Sequence, residues 1–189
     1  MLKNDNLASS SENEELILVD QNDNDIGFLS KSACHAGEGV LHRAFSVILF
    51  NINGELLLQK RSALKKLWPM YWSNSCCSHP RSGEIIEDAV QRRLKEELGV
   101  CLPLEFIYKF SYQANYENLG SENELCSVYL GRIDKKITIN TEEIADYKYI
   151  NHEDLTQDMK FSPEQYTPWF KMEWERLLAD FRSRLEIYF

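Results

Sequence analysis

The sequence predicts a single α/β domain in which a mixed β-sheet is layered against helices. Strand-like segments occur on both sides of one amphipathic helical segment, and a further helical segment closes the chain. The length of 189 residues suits one domain, and a chain of this size buries about 70% of its unfolded surface on folding. We expect residues 1–14, which are polar, to form a flexible leader and residues 15–189 to form the domain.

Two hairpins are predicted at the start of this domain. Residues 15–20 and 26–29 flank a run of Asn and Asp, which tolerate the dihedral angles of tight turns. Residues 43–50 and 55–60 flank a turn that ends at Gly54, where a positive φ is accessible. We expect this second hairpin at the centre of the sheet.

A helix is predicted over residues 84–98, where Ile86, Val90, Leu94 and Leu98 recur every fourth residue. Gly99 is a typical residue for the end of a helix. The apolar stripe should pack against the sheet. Further strands are expected at residues 105–112, 125–133 and 147–150, followed by one long helix over residues 163–185.

The charge of the chain argues against whole classes of partner. It has 30 acidic and 21 basic residues, for a net charge of −9, whereas nucleic acids and anionic membranes attract clustered Lys and Arg. The longest apolar run, residues 45–50, is far shorter than the roughly 20 residues that cross a bilayer. We therefore expect no nucleic acid or membrane partner, and any anionic substrate must be held by a local cluster of cations.

Cysteine usage predicts a cytoplasmic protein with reduced thiols. The count of five is odd, and the polar first residues do not have the pattern of a secretory signal.

Candidate metal ligands occur at three histidines and one pair of glutamates. His35, His42 and His79 stand beside other groups that can bind metals, and Glu122 and Glu124 share one face if their segment is extended. Such nitrogen and oxygen ligands suit Mn, Zn, Fe or Mg. From residue types alone, ordinary core or surface histidines and a solvated pair of glutamates are the better explanation, because no short ligand spacing of a known metal site is present.

The helix at residues 84–98 carries a second acidic motif. Written out, the motif is Ser78-x5-Glu84-x7-Arg92-Arg93-Leu94-x-Glu96-Glu97-x-Gly99-Val100. It resembles the signature of the Nudix superfamily, whose acidic helix binds Mg against a diphosphate. Ser78 replaces the glycine of that signature, and Arg93 replaces a glutamate that the hydrolase members need for their metal cluster. A guanidinium at this place suits phosphate oxygens, although a helical pair of Arg93 with Glu97 is the plainer alternative.

Four further motifs occur in the order found in type 1 isopentenyl diphosphate isomerases, which are Nudix-fold enzymes. They are Arg61 with Lys65-Lys66-Leu-Trp-Pro69, Asn74-Ser-Cys-Cys-Ser-His-Pro80, Ser121-Glu-Asn-Glu-Leu-Cys126 and Thr167-Pro-Trp169. The resemblance covers residues 18–169, and several motifs in one order are far more specific than any one of them. It implies a Nudix-like mixed sheet flanked by helices.

The resemblance also implies roles for residues in the reaction. Cys77, and not its neighbour Cys76, matches the catalytic cysteine, and Glu124 matches the catalytic glutamate. Tyr112 matches a tyrosine that supports proton transfer at that glutamate, and Trp169 matches an aromatic ring that faces the reacting carbons. Without the resemblance, core packing would be the better explanation of this tyrosine and tryptophan.

Metal and substrate sites follow from the same resemblance. One divalent ion, Mn, Zn or Mg, is expected on His35, His42, His79, Glu122 and Glu124. A second ion, Mg, is expected with the substrate diphosphate on Glu97, assisted by the Cys77 carbonyl. The expected diphosphate contacts are Lys31, Arg61, Lys65 and Arg93.

The implied reaction interconverts isopentenyl diphosphate and dimethylallyl diphosphate in a monomer. A proton is added at one carbon and another is removed nearby, through a tertiary cation that the indole face of Trp169 stabilises. Two alternatives remain open. One is a Nudix hydrolase of a nucleoside or prenyl diphosphate, against which Arg93 argues. The other is a binding module with a structural zinc on His35, His42, Cys77 and His79, which leaves Glu97, Glu122 and Glu124 unexplained.

Overall fold

The computed structural model describes residues 12–189, in which nine strands form a mixed sheet with helices on both faces. The strands are β1 Glu15–Val19, β2 Asp25–Ser30, β3 His42–Phe50, β4 Leu56–Arg61, β5 Trp72–Ser73, β6 Cys76–Ser78, β7 Leu104–Tyr116, β8 Gly120–Arg132 and β9 Ile144–Ile150. The helices are α1 Lys31–Cys34, α2 Ile86–Leu98, α3 His152–Phe161, α4 Pro168–Asp180 and α5 Arg182–Leu185, with a 3₁₀ turn at Pro163–Gln165. The predicted α/β class is confirmed.

The predicted leader, residues 1–14, falls mainly outside the described residues and stays a prediction. Its last three residues are described. The backbone carbonyls of Glu12 and Glu14 accept hydrogen bonds of 3.1 and 2.8 Å from the amides of Ser32 and Lys31. The segment immediately before β1 is therefore bonded to the start of α1.

The centre of the sheet is a parallel pair of strands, β3 and β8. They are in register over nine residue pairs, from His42 opposite Glu124 to Phe50 opposite Arg132. Strand β7 pairs antiparallel with the other edge of β8, and β1 forms the first predicted hairpin with β2. The parallel register places one predicted histidine ligand directly beside one predicted glutamate ligand.

The prediction of a central second hairpin is wrong. The turn is present, but β3 and β4 pair only at Phe50 and Leu56. Ser75 separates the two strands beyond that point: its hydroxyl accepts from the Leu49 amide at 2.8 Å and donates to the Leu57 carbonyl at 2.6 Å. Strand β4 pairs instead with β5 and β9.

The two faces of β3 are buried against different helices. Phe45 and Val47 belong to a cluster that includes Leu94 of α2, whereas Ala44 and Ile48 belong to a cluster that includes Trp169, Phe170 and Trp174 of α4. Each large apolar side chain that is fully buried stabilises the fold by roughly 1.5–3 kcal/mol. The sheet thus lies between α2, as predicted, and α4.

The prediction of one long helix over residues 163–185 is wrong as well. Tyr166 and Thr167 are extended, the Thr167 amide donates to the Trp72 carbonyl at 3.0 Å, and α4 begins only at Pro168. A proline disfavours helical dihedral angles in the residue before it, so the helix cannot run through Thr167. Helix α3, which was not predicted, precedes this break, and its N-cap is Asn151.

In the described part of the chain, no helix is both long enough and apolar enough to cross a membrane.

Candidate metal and substrate site

Three histidines and two glutamates from separate elements form one cluster, which we call the His/Glu cluster. His35 follows α1, His42 begins β3, His79 follows β6, and Glu122 and Glu124 lie two residues apart in β8. One potential ligand atom of each lies within 4.8 Å of those of the others, and all five side chains are buried. The five predicted metal ligands are thus brought together, and the two glutamates share one face as expected.

A glycine holds the segment that carries His35. At Gly120, where φ is +148°, a Cβ atom would lie 2.4 Å from the His35 carbonyl oxygen. The next amide, that of Ser121, donates to the same oxygen at 3.0 Å. Only glycine has no side chain to clash here and adopts this φ readily, so the approach of β8 to His35 depends on it.

Hydrogen bonds orient the imidazole rings of the His/Glu cluster. The Nδ1 atom of His42 lies 2.7 Å from the Val40 carbonyl, which turns Nε2 toward the cluster, 3.3 Å from His35 Nε2. His79 Nε2 lies 2.7 Å from Glu124 Oε1. A backbone carbonyl on the far nitrogen is the usual way in which metal-binding histidines are fixed.

The residues of the His/Glu cluster differ in the direction of their pKa shifts, and therefore in their protonation states. Burial lowers the pKa of His42 to about 4 and that of His79 well below its usual range, which leaves both imidazoles neutral. Burial raises the pKa of Glu124 well above normal, and the adjacent Glu122 raises it further. For Glu122, burial raises the pKa, but the combined effects of His35, His42 and Arg61 outweigh burial and lower the pKa to about 2. Two carboxyl groups this close share one negative charge when no cation lies between them.

The cluster fits a divalent cation. Glu122 Oε2 is buried 3.0 Å from His35 Nε2, yet it has no hydrogen bond of acceptable geometry within residues 12–189. Neutral imidazoles and carboxylates are the ligands that Mn, Zn, Fe and Mg use, according to geometry and availability. A cation held by these ligands would satisfy the unbonded oxygen and would reduce the repulsion between the two carboxylates.

A cavity beside the cluster is lined by Cys77, Tyr112, Glu124 and Trp169. The Tyr112 hydroxyl donates to Glu124 Oε2 at 2.6 Å. Cys77 is half-buried on β6, and burial raises the pKa of its thiol to about 12. The three predicted catalytic residues and the predicted aromatic residue therefore lie at the same cavity.

Trp169 is held on several sides. Its indole N–H donates to Asn74 Oδ1 at 3.2 Å, and its ring meets that of Trp68 edge-on with centroids 5.3 Å apart. The Arg61 guanidinium lies 5.1 Å from the centroid of the Trp169 ring. These contacts hold the ring in place where it lines the cavity.

The four cations predicted to bind diphosphate all line this cavity: Lys31, Arg61, Lys65 and Arg93. Arg61 donates to the Trp68 and Leu67 carbonyls at 3.0 and 2.8 Å. Lys65 forms a short ion pair with Glu143, which also lies 3.1 Å from Arg93. An acidic protein thus gathers four basic side chains at one cavity, as its composition required of any anion site.

Two predicted site residues, Glu97 and the metal-ligand candidate His42, do not line the cavity, and Glu97 lies outside the His/Glu cluster as well. Its Oε1 atom accepts from Arg93 Nη2 at 2.6 Å, and Gln59 donates to its Oε2 at 3.5 Å. The helical pair of Arg93 with Glu97 is therefore present, although Arg93 also faces the cavity. The expected role of Glu97 in binding Mg with the substrate stays a prediction.

Three buried polar residues near the site were not predicted: Asn74, Glu143 and Glu173. Asn74 stands in the same short motif as Cys77, which was a usable signal. Glu173 lies four residues after Trp169, so helical spacing alone places both on one face. For Glu143 no signal in the sequence indicates contact with Lys65 and Arg93.

Both the sequence and the fold of the chain resemble those of known proteins. The family model described as NUDIX domain matches residues 40–170. The structure resembles that of the Deinococcus radiodurans protein DR0079, with a TM-score of 0.65, 25% identity, and coverage of 79% of this chain and 90% of that one. A MutT protein from Methanosarcina mazei has a TM-score of 0.62 at 17% identity, over 74% of this chain and 94% of its own, which is a likeness of fold.

Curated relatives are more similar in sequence. Isopentenyl-diphosphate Delta-isomerase 1 of Photorhabdus laumondii is 42% identical over 174 residues, which span 91% of this chain and 99% of the relative. Isopentenyl-diphosphate Delta-isomerase 2 of the same organism is 44% identical over 87% of this chain and 99% of its own length. The Salmonella typhi protein named isopentenyl-diphosphate Delta-isomerase is 40% identical over 85% and 90% of the two chains.

Proposed function

The chain belongs to the NUDIX family and, within it, to the isopentenyl-diphosphate Delta-isomerases, and we propose that it interconverts isopentenyl diphosphate and dimethylallyl diphosphate. One observation carries the proposal: Cys77, Glu124 and Tyr112 line a cavity that also contains four cations and adjoins the His/Glu cluster. This combination suits proton transfer on a small molecule that carries a diphosphate.

In the proposed reaction, Cys77 and Glu124 act on opposite faces of the substrate. One adds a proton at the terminal carbon of the double bond, and the other removes a proton from the carbon on the far side of the resulting cation. The double bond shifts, and one proton enters for each one that leaves. The roles exchange in the reverse direction.

The tertiary cation formed in between is stabilised by the aromatic face of Trp169, because cations are attracted to the electron-rich faces of aromatic rings. The ring is already held against Arg61 and Trp68. Tyr112 supports the proton transfer through its hydrogen bond to Glu124 Oε2.

His35, His42, His79, Glu122 and Glu124 would hold a divalent ion, Mn, Zn or Mg. When bound, such an ion supplies positive charge that orients the Glu124 carboxyl and determines which of its oxygens can carry a proton. The Glu124 oxygen bonded to Tyr112 is then the one available to the substrate.

Lys31, Arg61, Lys65 and Arg93 would bind the diphosphate, and Glu97 would hold the Mg that accompanies it. Guanidinium groups suit phosphate oxygens because they donate several hydrogen bonds in a fixed plane. Arg93 also replaces the carboxylate with which hydrolase relatives are expected to bind metal, and this favours isomerisation over attack of water on phosphorus.

The test is proton NMR of isopentenyl diphosphate in deuterated buffer with Mg, together with a phosphate-release assay on the same sample. We expect dimethylallyl signals that incorporate deuterium, with no phosphate released. Phosphate without isomer would overturn the proposal in favour of a hydrolase, and neither product from protein loaded with metal would favour a binding module.

Cys77→Ser tests the role of the thiol. We expect the isomerisation rate to fall by about 10²–10⁴-fold, the usual contribution of a positioned acid or base, with unchanged metal content. The matched control is Cys101→Ser, because Cys101 is exposed, and its rate should equal that of the wild type. Loss of metal or unfolding in Cys77→Ser alone would instead indicate a structural metal site that includes this cysteine.

A further inference from the structure

A chain of buried polar groups begins and ends on helix α4. Trp169 donates through its indole N–H to Asn74 Oδ1 at 3.2 Å, and Asn74 Nδ2 donates to Ser46 Oγ at 2.8 Å. Ser46 in turn donates to Glu173 Oε2 at 2.8 Å. Because Trp169 and Glu173 are one helical turn apart, the path leaves α4, crosses β3 and the segment before β6, and returns to α4.

The orientation of the Asn74 amide is fixed by its other contacts. Its Nδ2 group also donates to the Cys76 carbonyl at 2.7 Å, and its Oδ1 accepts from the Ser73 hydroxyl at 2.8 Å. An amide that donates on one side must present its oxygen on the other. Its oxygen therefore faces the indole N–H of Trp169.

Burying these polar groups costs desolvation free energy. Ser46, Asn74 and Glu173 are each 0% exposed, and none of the three lines the cavity. Apolar side chains of similar size would avoid the cost of desolvating them. Their hydrogen bonds specify one arrangement of the tryptophan, which apolar packing alone does not.

We propose that Glu173, Ser46 and Asn74 are positioning residues that hold the indole of Trp169 against the reacting carbons. This inference rests on the proposed isomerase function, in which Trp169 faces the cation. Glu173 accepts the hydrogen bond at the far end of this chain, Ser46 links Glu173 to Asn74, and Asn74 accepts from the indole N–H.

The kinetic test compares Glu173→Leu with Glu173→Gln. Leucine is close in size but cannot accept from Ser46, whereas glutamine keeps an acceptor. We expect kcat to fall between about 10-fold and 100-fold in Glu173→Leu, the range for a misplaced group near the reacting atoms, with little change in KM. Glu173→Gln should restore most of kcat, and Glu175→Leu, an exposed position on the same helix, should have the kcat of the wild type.

A double variant separates positioning from a structural role. Trp169→Phe has no indole N–H, so adding Glu173→Leu to it should lower kcat by less than about twofold if the two residues act as one unit. If Glu173→Leu lowers kcat as much in the Trp169→Phe background as in the wild type, the inference is overturned. If Glu173→Leu does not fold, Ser46→Ala takes its place in the same cycle.

A spectroscopic readout does not depend on activity. The indole N–H signal of Trp169, assigned by its absence in Trp169→Phe, should shift in Glu173→Leu and stay in place in Glu173→Gln and Glu175→Leu. An unmoved signal in Glu173→Leu would overturn the positioning role even in an active enzyme. If the wild type does not isomerise its substrate, the proposed function fails, while a shifted signal still establishes that Glu173 holds Trp169.

Discussion

Glu173 should make the stability of this protein depend strongly on pH. Its carboxyl group is completely buried, where it accepts from the Ser46 hydroxyl at 2.8 Å and lies 3.9 Å from the Cys126 thiol. The Tyr108 hydroxyl approaches the Glu173 backbone carbonyl at 3.4 Å. Burial raises the pKa of Glu173 from its ordinary value of 4.5 to about 8, although the hydrogen bonds from Ser46 and Cys126 oppose the rise. The perturbation we consider is Glu173→Gln, which keeps the shape and removes the titration.

The sign and size of the effect follow from this pKa. Between pH 4.5 and pH 8 the folded chain keeps the proton of Glu173, whereas the unfolded chain releases it. The free energy of unfolding therefore falls as pH rises through this window, by about 1.4 kcal/mol per pH unit. The contribution is fully present below pH 4.5 and amounts to about 5 kcal/mol in total, of which about 3–4 kcal/mol is lost between pH 5 and pH 8.

The assay is urea unfolding of the wild type and Glu173→Gln at several pH values from 5 to 8.5. Other groups titrate alike in both proteins, so the difference between the two free energies of unfolding isolates Glu173. We expect that difference to move in favour of Glu173→Gln by about 3–4 kcal/mol as pH rises from 5 to 8. Glu175→Gln, at an exposed position, should follow the wild type. A constant difference between wild type and Glu173→Gln would refute a buried carboxyl that titrates near pH 8.

Three further outcomes are expected. Glu97→Gln should weaken substrate binding in the presence of Mg at least tenfold, about 1.4 kcal/mol, while Glu96→Gln should have little effect. Elemental analysis should show that both variants keep the metal of the His/Glu cluster. Unchanged substrate affinity in Glu97→Gln would refute the role of Glu97. Gly120→Ala should lower the free energy of unfolding by more than about 1 kcal/mol and weaken metal binding, because the added Cβ would meet the His35 carbonyl. The control is Gly27→Ala, where φ is +150° but the nearest contact is at 4.0 Å, and this variant should keep its metal affinity. Equal metal affinities in the two variants would contradict this reasoning. Chelation of divalent ions should lower Tm, since an ion at 100 times its Kd stabilises the folded chain by about 2.7 kcal/mol, and an unchanged Tm would argue against a bound ion.

The site was predictable where short motifs determine local geometry. Glu122 and Glu124 are two residues apart in one strand, so extended backbone alone places them on one face. Cys77 and His79 lie in one short segment. The motifs did not indicate how distant segments meet, and the convergence of His35 and His42 on the glutamates came from the resemblance to a family rather than from spacing.

Features that depend on contacts between distant segments were not predictable. The second hairpin has a normal turn, yet Ser75, about 25 residues from β3, separates its strands through hydrogen bonds to Leu49 and Leu57. The bond between Ser46 and Glu173 joins residues 127 positions apart. The break before Pro168 was the exception, because the restriction that proline places on Thr167 is readable in the sequence.

The charges around Arg93 support the proposal that a cation accompanies the diphosphate. Arg93 is almost completely buried and pairs with Glu97 and Glu143, and Glu143 pairs with Lys65 as well. Arg93 also lies 2.8 Å from Glu96, so these two cations face three carboxylates, and Lys65 and Arg93 can donate hydrogen bonds to phosphate but supply no net positive charge. Lys31 itself lies 3.7 Å from Glu12, so the basic side chains do not neutralise a diphosphate, and the Mg proposed on Glu97 would supply the remaining charge. Arg93 pairs with the carboxylates of both Glu96 and Glu97, and Glu97 is the one carboxylate of this helix proposed to hold Mg.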